Sequence, residues 1–122
     1  MPLRHSTIGQ IAVNVHNLPM AIDFYRDILG IKFLFETPSM AFFDLNGVRL
    51  MLGKPEKPEF DHPSSIIYYK VSDLRETYKS LIAKGVAFES KPQLVARMPN
   101  HELWMAFFRD VDGNLLALMS EI

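Results

Sequence analysis

Histidine is the residue type in this chain best suited to acid–base or metal chemistry near neutral pH. There are four, His5, His16, His62 and His101, and no two stand at the i, i+4 spacing that places paired metal ligands on one helix face. All four are predicted to lie in solvent-exposed termini, caps or loops. His101 is followed by Glu102, the one neighbouring pair with atoms suited to a non-standard metal or acid–base site. The chain has no cysteine, which excludes thiolate nucleophiles and Cys-ligated metals.

Polar side chains inside strand-like segments form a second group of candidates. Gln10, Arg49 and Tyr68 each fall in such a segment, where an unpaired buried polar group costs about 1–3 kcal/mol and therefore needs a partner or a ligand. Arg49 suits a carboxylate or phosphate, and a salt bridge at a rim is the alternative. Trp104, the single tryptophan, suits a ligand platform or a dimer contact, and we favour the ligand cavity. Together these residues predict a small organic ligand.

Charge and composition narrow the class of partner. The net charge of -1 offers no basic field for a phosphate backbone, so nucleic acid is a poor candidate. Hydrophobic residues make up 48% and charged residues 22%, which is typical of one folded domain of this length. No signal-peptide pattern and no apolar run of about 20 residues is present, so no membrane association is expected. The expected location is cytoplasmic.

The first half of the chain must position Gln10 and Arg49 on strands. Residues 8–15 alternate in the period of a strand, with Ile11, Val13 and Val15 on one face and Gln10 on the other. Asn17, Pro19 and the helical spacing that follows predict a helix over residues 18–29, ending at Gly30. Strands are predicted at 31–36, 40–45 and 48–52, with Asn46 and Gly47 forming the last hairpin turn.

The second half repeats this order after a proline-rich linker at residues 53–65. A strand over 65–71 precedes a helix that Ser72 or Asp73 caps and Gly85 ends, with Leu74, Tyr78, Leu81 and Ile82 facing inward. The remaining predictions are a short strand at 86–90, a polar connection at 91–101, a strand at 103–109 and a hairpin turn at Asp112 and Gly113 into 114–119.

Two positional matches show that the halves are copies of one unit. Val15 recurs as Val71, 56 residues later, and Gly47 recurs as Gly113, 66 residues later. Self-similarity of whole units indicates duplication, and two such units would pair to bury an apolar sheet face or to form a cleft. The sequence therefore predicts an α+β fold of two βαβββ modules, at about residues 8–52 and 66–119.

Two segments resemble the vicinal oxygen chelate superfamily, which includes glyoxalase I, bleomycin-resistance proteins and extradiol dioxygenases. QIAVNVHNLPMAIDFYRDILG is similar to the family's first strand and helix, and FFRDVDGNLLALM is similar to its closing hairpin. The resemblance covers residues 6–119, which we interpret as one domain of this family. It implies that the two modules form a curved mixed sheet with a concave cavity that holds a divalent metal or a ligand, commonly in a homodimer.

The resemblance also identifies where metal-dependent members place four ligands. Carried over, those positions fall on Gln10 and Met51 in the first module and on Ile66 and Ala117 in the second. The amide oxygen of Gln10 can coordinate weakly, whereas Ile66 and Ala117 have no donor atom and the Met51 thioether is too soft for a hard ion. We therefore expect no metal cofactor at these positions.

The sequence leads to a principal hypothesis of metal-independent binding of a small organic ligand in the cavity of a homodimer. Whether the protein is an enzyme stays open. One alternative is a lyase, isomerase or dioxygenase that uses non-standard residues; another is a structural dimer whose cleft is filled by its own side chains. The residues predicted to bind the ligand are Gln10, Arg49, Met51, Ile66, Tyr68, Trp104 and Ala117.

Overall fold

The computed structural model describes residues 2–122. The chain divides into two compact units, of which the first ends at Ser64 and the second runs from Ser65 to Ile122. Each unit follows the order strand, helix and three strands, so the predicted α+β class and the repeated βαβββ order are confirmed. No helix among the described residues is long and apolar enough to cross a membrane.

The first unit contains one four-stranded sheet with the order β1-β4-β3-β2. Strand β1 is parallel to β4, and the other pairs are antiparallel. The core lies on the face that packs against the helix, where the side chains of Val13, Phe43, Leu50 and Leu52 are buried with that of Tyr25. The elements are β1 (Gln10–Asn14), α1 (Leu18–Asp23), β2 (Lys32–Glu36), β3 (Met40–Leu45) and β4 (Val48–Gly53), followed by a 3-10 turn at Pro58–Phe60.

The predicted first helix is present, but it is not α-helical throughout. Asn17 caps α1 by accepting a hydrogen bond from Met20 N at 3.2 Å, as the sequence indicated. The segment Phe24–Ile28 then forms a π-helical turn, in which Leu29 N donates to Phe24 O at 2.9 Å. Apolar spacing does not distinguish this turn from a regular helix, because Phe24 and Tyr25 are buried and Ile28 and Leu29 are half-buried, as an α-helix would also allow.

The second unit contains a sheet of the same kind, with the order β5-β8-β7-β6 and a parallel β5–β8 pair. Asp73 caps its helix by accepting a hydrogen bond from Glu76 N at 3.1 Å, which decides between the two predicted caps. Ile82, predicted to face inward, is instead exposed. The elements are β5 (Ile67–Lys70), α2 (Leu74–Ala83), β6 (Gln93–Arg97), β7 (Glu102–Arg109) and β8 (Leu115–Glu121).

One strand of the second unit lies later in the chain than predicted. Residues 86–90 form only an isolated bridge between Phe88 and Phe108, and the strand β6 occupies part of the predicted polar connection. Phe88 is held mainly by ring contacts, with Tyr78 at 4.6 Å and Phe108 at 5.1 Å between centroids. Strand β6 lies at the edge of the sheet, where polar residues are common, so its composition resembled that of a loop.

Candidate functional site

The open face of the first module is the sheet face opposite its helix. Strand register places Gln10 beside Arg49, and Met51 beside Phe42, all on this face. Phe42 in turn pairs with Phe35, and the two rings stack with centroids 4.6 Å apart. These side chains form a diagonal row across four strands, with a polar end at Gln10 and Arg49 and an aromatic end at Phe35, which is 48% exposed. Asp44 is the register partner of Arg49 at the polar end. Such a row combines apolar contact area with directional polar groups, as small-molecule sites do.

A break in strand pairing creates the aromatic end of this row. The register of β2 against β3 shifts between Phe33 and Phe35. Phe33 therefore packs edge-on against Phe43 in the core at 5.5 Å, while Phe35 turns to the open face and stacks on Phe42. In an unbroken strand the two residues would share one face, because side chains two positions apart point the same way.

Arg49 presents a guanidinium that has no carboxylate within ion-pair distance among the described residues. The group lies over the ring of Phe42, with 5.7 Å between Cζ and the ring centroid. A cation over an aromatic face keeps its N–H donors directed outward, so it can still bind an anion. The salt bridge that the sequence left open for Arg49 is not formed in the described chain.

Gln10 makes only a weak contact within this row. Its amide Nε2 donates to the thioether Sδ of Met51 at 3.7 Å, and sulfur is a weak acceptor. Gln10 is exposed, so a ligand can reach its amide. Gln10 and Met51 are the two positions of this module at which the family resemblance implies metal ligands. Gln10 supplies a single amide oxygen and Met51 a soft sulfur. This pair is a poor donor set for a hard divalent ion.

Aromatic side chains cover the Ala117 position on the open face of the second module. Ala117 on β8 lies between Tyr68 on β5 and Phe107 on β7, and its side chain is 0% exposed. The rings of Tyr68 and Phe107 meet edge to face, with centroids 5.9 Å apart. The two rings cover the small side chain between them. Ile66 precedes β5 and is 40% exposed, and neither it nor Ala117 has an atom that could bind a metal.

Trp104 lies on the other face of the second sheet. It pairs with Ser120, whereas Ala117 pairs with Phe107, and neighbouring positions on a strand face opposite ways. Trp104 therefore stands on the face that α2 covers, together with the buried residues Ala106 and Phe108. The structure does not bring Trp104 together with Tyr68 and Ala117, so the prediction that these three residues line one ligand site is not met.

The four histidines lie outside regular helices and strands, as predicted. His101 Nε2 is 3.6 Å from Glu121 Oε2, while Glu102 accepts a hydrogen bond from Trp104 Nε1 at 3.1 Å. His16 contacts Asp61 at 2.9 Å, a pairing between strand β1's end and the linker that the sequence did not predict. Within residues 2–122, no three His, Cys, Asp or Glu side chains are grouped so that they could hold a metal ion.

Tyr69 carries a buried hydroxyl with no hydrogen-bond partner among the described residues. Burial, and to a lesser degree the carboxylate of Asp110, raises the pKa of this phenol well above its usual value of 10.0. We expect Tyr69→Phe to leave the free energy of unfolding at pH 7 unchanged or to raise it by up to about 1 kcal/mol, because a costly unpaired group is removed. Urea unfolding measures the effect.

The same substitution should change the alkaline stability. Below about pH 10 the phenol is protonated in both the folded and the unfolded chain, so it adds no pH dependence to the stability. Above that pH the unfolded chain loses the proton first, because the pKa of Tyr69 is raised in the folded chain, and the free energy of unfolding falls. The decline between pH 9 and 11 should therefore be shallower in Tyr69→Phe than in the parent chain. Tyr78→Phe is the control, because it keeps Tyr69 and should keep the steep decline. If the free energy of unfolding declines equally with pH in Tyr69→Phe and Tyr78→Phe, Tyr69 is not the cause of the alkaline loss of stability.

Comparison with known proteins agrees with this architecture. Residues 7–118 match the model of the Glyoxalase/Bleomycin resistance protein/Dioxygenase superfamily. A structure from Sphaerobacter thermophilus, described as a member of the same superfamily, is 26% identical, covers 95% of this chain and 98% of its own, and has a TM-score of 0.78. TnmS3, an antibiotic binding protein from Streptomyces sp. CB03234, shares the fold at 21% identity, with 98% coverage of both chains and a TM-score of 0.78.

Among curated proteins, the chain is similar to metallothiol transferase FosB of Staphylococcus haemolyticus. The two are 35% identical over 69 residues, which are 54% of this chain and 50% of FosB. The chain thus spans about half the length of the FosB relatives that it matches. The family match extends over nearly all of the repeated βαβββ architecture, and the chain belongs to the Glyoxalase/Bleomycin resistance protein/Dioxygenase superfamily.

Proposed function

We propose that this protein binds a small aromatic molecule with an anionic group on the open face of its first module, without a metal. The observation that carries this proposal is the row formed by Phe35, Phe42, Arg49 and Gln10 across one sheet. The stacked rings provide a flat apolar surface, and the guanidinium beside them provides the group that fixes an anion.

The charge state of Arg49 supports the anionic part of the proposal. Asp44 is the register partner of Arg49 on β3 but forms no ion pair with it. The guanidinium can therefore still attract a negatively charged group, and its planar N–H donors can bind two oxygens at once. Gln10 lies beside Arg49 in the strand register and can donate or accept one further hydrogen bond. A ligand with an aromatic ring and a carboxylate or phosphate would contact all of these groups.

The donor atoms support the metal-independent part. Met51 provides a soft sulfur, Ile66 and Ala117 provide none, and a single amide oxygen from Gln10 is too little for a hard ion. The rings above Ala117 also fill the space that a larger ligating side chain at this position would occupy. We accordingly propose that no divalent metal is resident in the protein.

The names of the related proteins are consistent with either binding or catalysis. TnmS3 is an antibiotic binding protein, and FosB is named a metallothiol transferase. The row on the first module provides contact surface and charge rather than metal ligands, so binding is the activity it favours. Assembly as a homodimer is part of the proposal, because the family resemblance implies it.

The open face of the second module, which carries Ala117, supports the alternative in which a site is filled by the protein's own side chains. Tyr68 and Phe107 meet above Ala117, so this face is filled by the chain's own side chains at that position. An enzyme that uses Gln10, Tyr68, His101 and Glu102 has less support. His101 and Glu102 each contact other side chains in the described structure, Glu121 and Trp104 respectively.

Isothermal titration with 2-naphthoate tests the proposal, using 2-naphthylmethanol as the uncharged analogue. We expect saturable binding of 2-naphthoate with the same affinity before and after treatment with a chelator. Arg49→Met keeps the aliphatic stem but removes the charge, so it should weaken 2-naphthoate about tenfold and leave the alcohol unaffected. Phe42→Ala should weaken both compounds, because both use the stacking surface.

Phe60→Ala is the matched control for Phe42→Ala. Phe60 is an exposed aromatic residue in the linker, under the cation of Lys57, and does not belong to the row. Its replacement should leave both affinities unchanged. The proposal fails if the parent chain binds neither compound, if Arg49→Met affects both equally, or if elemental analysis of protein purified without chelators finds one tightly held divalent ion per chain.

A further inference from the structure

Asp44 lies on the open face of the first module, between two cationic residues. In the strand register it pairs with Lys32 on β2 and with Arg49 on β4. Residues that pair in neighbouring strands stand on the same sheet face, so the three charges form a line across the sheet. Lys32 and Arg49 are exposed, and Asp44 is half-buried.

The protein itself uses only part of the Asp44 carboxylate. Its Oδ1 accepts an exposed hydrogen bond from Gly47 N at 3.1 Å, in the turn that follows β3. In the described chain Oδ2 accepts no hydrogen bond, and neither Lys32 nor Arg49 lies within ion-pair distance of the carboxylate. The guanidinium of Arg49 instead extends over the ring of Phe42. Oδ2 is therefore an acceptor that is left for another molecule, and it is not fully buried.

This oxygen lies beside the surface on which an aromatic ligand would stack. Asp44 and Phe42 are two positions apart on β3, so their side chains share one face at a spacing of about 7 Å. Arg49 stands opposite Asp44, and Cβ atoms of such a pair are about 5 Å apart. A ring on Phe42 with its anionic group at Arg49 thus brings one edge to the Asp44 carboxylate.

A plain aromatic acid meets an unfavourable group at this edge. Its ring displaces water from Oδ2 without replacing the lost hydrogen bond, and its negative charge approaches that of Asp44. An N–H or O–H group of the ligand that donates to Oδ2 restores the lost bond. A ligand ammonium group would face Lys32 and Arg49 on the two neighbouring strands, so a neutral donor fits the line of charges best.

We propose, as an extension that rests on the function proposed above, that Asp44 determines which aromatic acids this face binds. The residue selects ligands whose ring carries a neutral hydrogen-bond donor meta to the anionic group. The anionic group binds Arg49, the ring stacks on Phe42, and the donor bonds to Asp44 Oδ2. A meta arrangement separates the two ligand groups by about the same 5 Å that separates opposite side chains of an antiparallel pair.

Isothermal titration with four naphthoates tests the role of Asp44. The donor compound is 4-hydroxy-2-naphthoate. The comparison compounds are 4-methoxy-2-naphthoate, which cannot donate, 6-hydroxy-2-naphthoate, whose hydroxyl is at the far end of the ring system, and unsubstituted 2-naphthoate. We expect the 4-hydroxy compound to bind about tenfold more tightly than each of the other three. If any of the three binds as tightly as the 4-hydroxy compound, the proposal is overturned.

Asp44→Asn separates the hydrogen bond from the shape of the site. The amide oxygen can keep the bond from Gly47 N, while the amide N–H group takes the place of Oδ2. Hydroxyl and methoxy oxygens can both accept from that group, so the preference for the 4-hydroxy over the 4-methoxy compound should disappear. The affinity for 2-naphthoate should stay the same or rise, because a negative charge is removed. A preference that persists in Asp44→Asn would show that another group selects the donor.

Glu76→Gln is the matched control for the loss of one negative charge. Glu76 is an exposed residue on helix α2 of the second module, away from the line of charges. Its replacement should leave all four affinities unchanged. A change equal to that in Asp44→Asn would show that net charge, and not Asp44, sets the preference.

The proposed ligand face and the role of Asp44 fail in different ways. If 2-naphthoate binds and Arg49→Met weakens it, but the 4-hydroxyl group brings no gain, only the role of Asp44 is wrong. If none of the four naphthoates binds, the ligand face itself is wrong, and the role of Asp44 is wrong with it.

Discussion

Replacing Ala117 with glutamate is expected to lower the free energy of unfolding at pH 8 by about 3–5 kcal/mol, the cost of a buried charge without a partner. The side chain of Ala117 is fully buried, between Tyr68 on one neighbouring strand and Phe107 on the other. A carboxylate there must either stay unsolvated beneath the two rings or force apart their edge-to-face contact at 5.9 Å. Urea unfolding of the parent and variant chains measures the loss.

Ala117→Gln separates charge from size. Glutamine has nearly the volume of glutamate, so it should reproduce the cost of displacing the rings but not the cost of the buried charge. The two variants should therefore differ most at high pH. Burial raises the pKa of a glutamate above its usual value, so the carboxyl is neutral near pH 4, and the extra loss grows as the pH rises through the folded-state pKa.

The same pH series can contradict the prediction that a charge at position 117 is buried without a partner. If Ala117→Glu and Ala117→Gln are equally stable at pH 8, the position is hydrated or a cation stabilises the carboxylate. Either outcome would reopen a metal-binding role for the second module. If the variants diverge with rising pH, position 117 is a desolvated site that Tyr68 and Phe107 cover.

The duplication and most of the elements could be predicted from sequence because they depend on local periodicity. Alternation placed Gln10 opposite Val13, and the burial of these residues agrees with that pattern. The recurrence of Val15 as Val71 and of Gly47 as Gly113 indicates the second module from the sequence alone. Cap residues fixed both helix starts, because side-chain caps act within a few residues.

The composition of the open faces could not be predicted in the same way, because it depends on pairing between strands. Phe42 and Phe35 are not among the residues predicted to bind the ligand, and Phe35 reaches the open face only through the register shift after Phe33. The indole of Trp104 is suited to a ligand platform, but its pairing with Ser120 places it on the sheet face that α2 covers. A shift of one residue in the pairing register of a strand moves each of its side chains to the opposite sheet face. A wrong register therefore misplaces all the residues of that strand together.

The second large loss of stability is expected when the Asp110 carboxylate is removed from the hairpin between β7 and β8. We expect Asp110→Ala to lower the free energy of unfolding by roughly 3 kcal/mol, because three part-buried hydrogen bonds to one charged group are lost together. Asp110 is buried, and its carboxylate accepts hydrogen bonds from Asp112 N, Asn114 N and Asn114 Nδ2, each at 2.9 Å. Without it, two backbone donors in a part-buried turn lose their bonds to the carboxylate. Urea unfolding at pH 7 is the measurement.

The first module supplies the matched control, since Asp44 precedes Asp110 by the 66 residues that also separate Gly47 from Gly113. The carboxylate of Asp44 accepts one exposed hydrogen bond, from Gly47 N at 3.1 Å. This bond lies in a two-residue turn, Asn46 and Gly47, between the paired residues Leu45 and Val48. Asp44→Ala should therefore cost about 1 kcal/mol or less. Equal losses in the two variants would contradict the prediction. Unequal losses would show that the copies kept the aspartate but use it differently: the two-residue turn needs little side-chain support, whereas the longer loop is held together by its carboxylate.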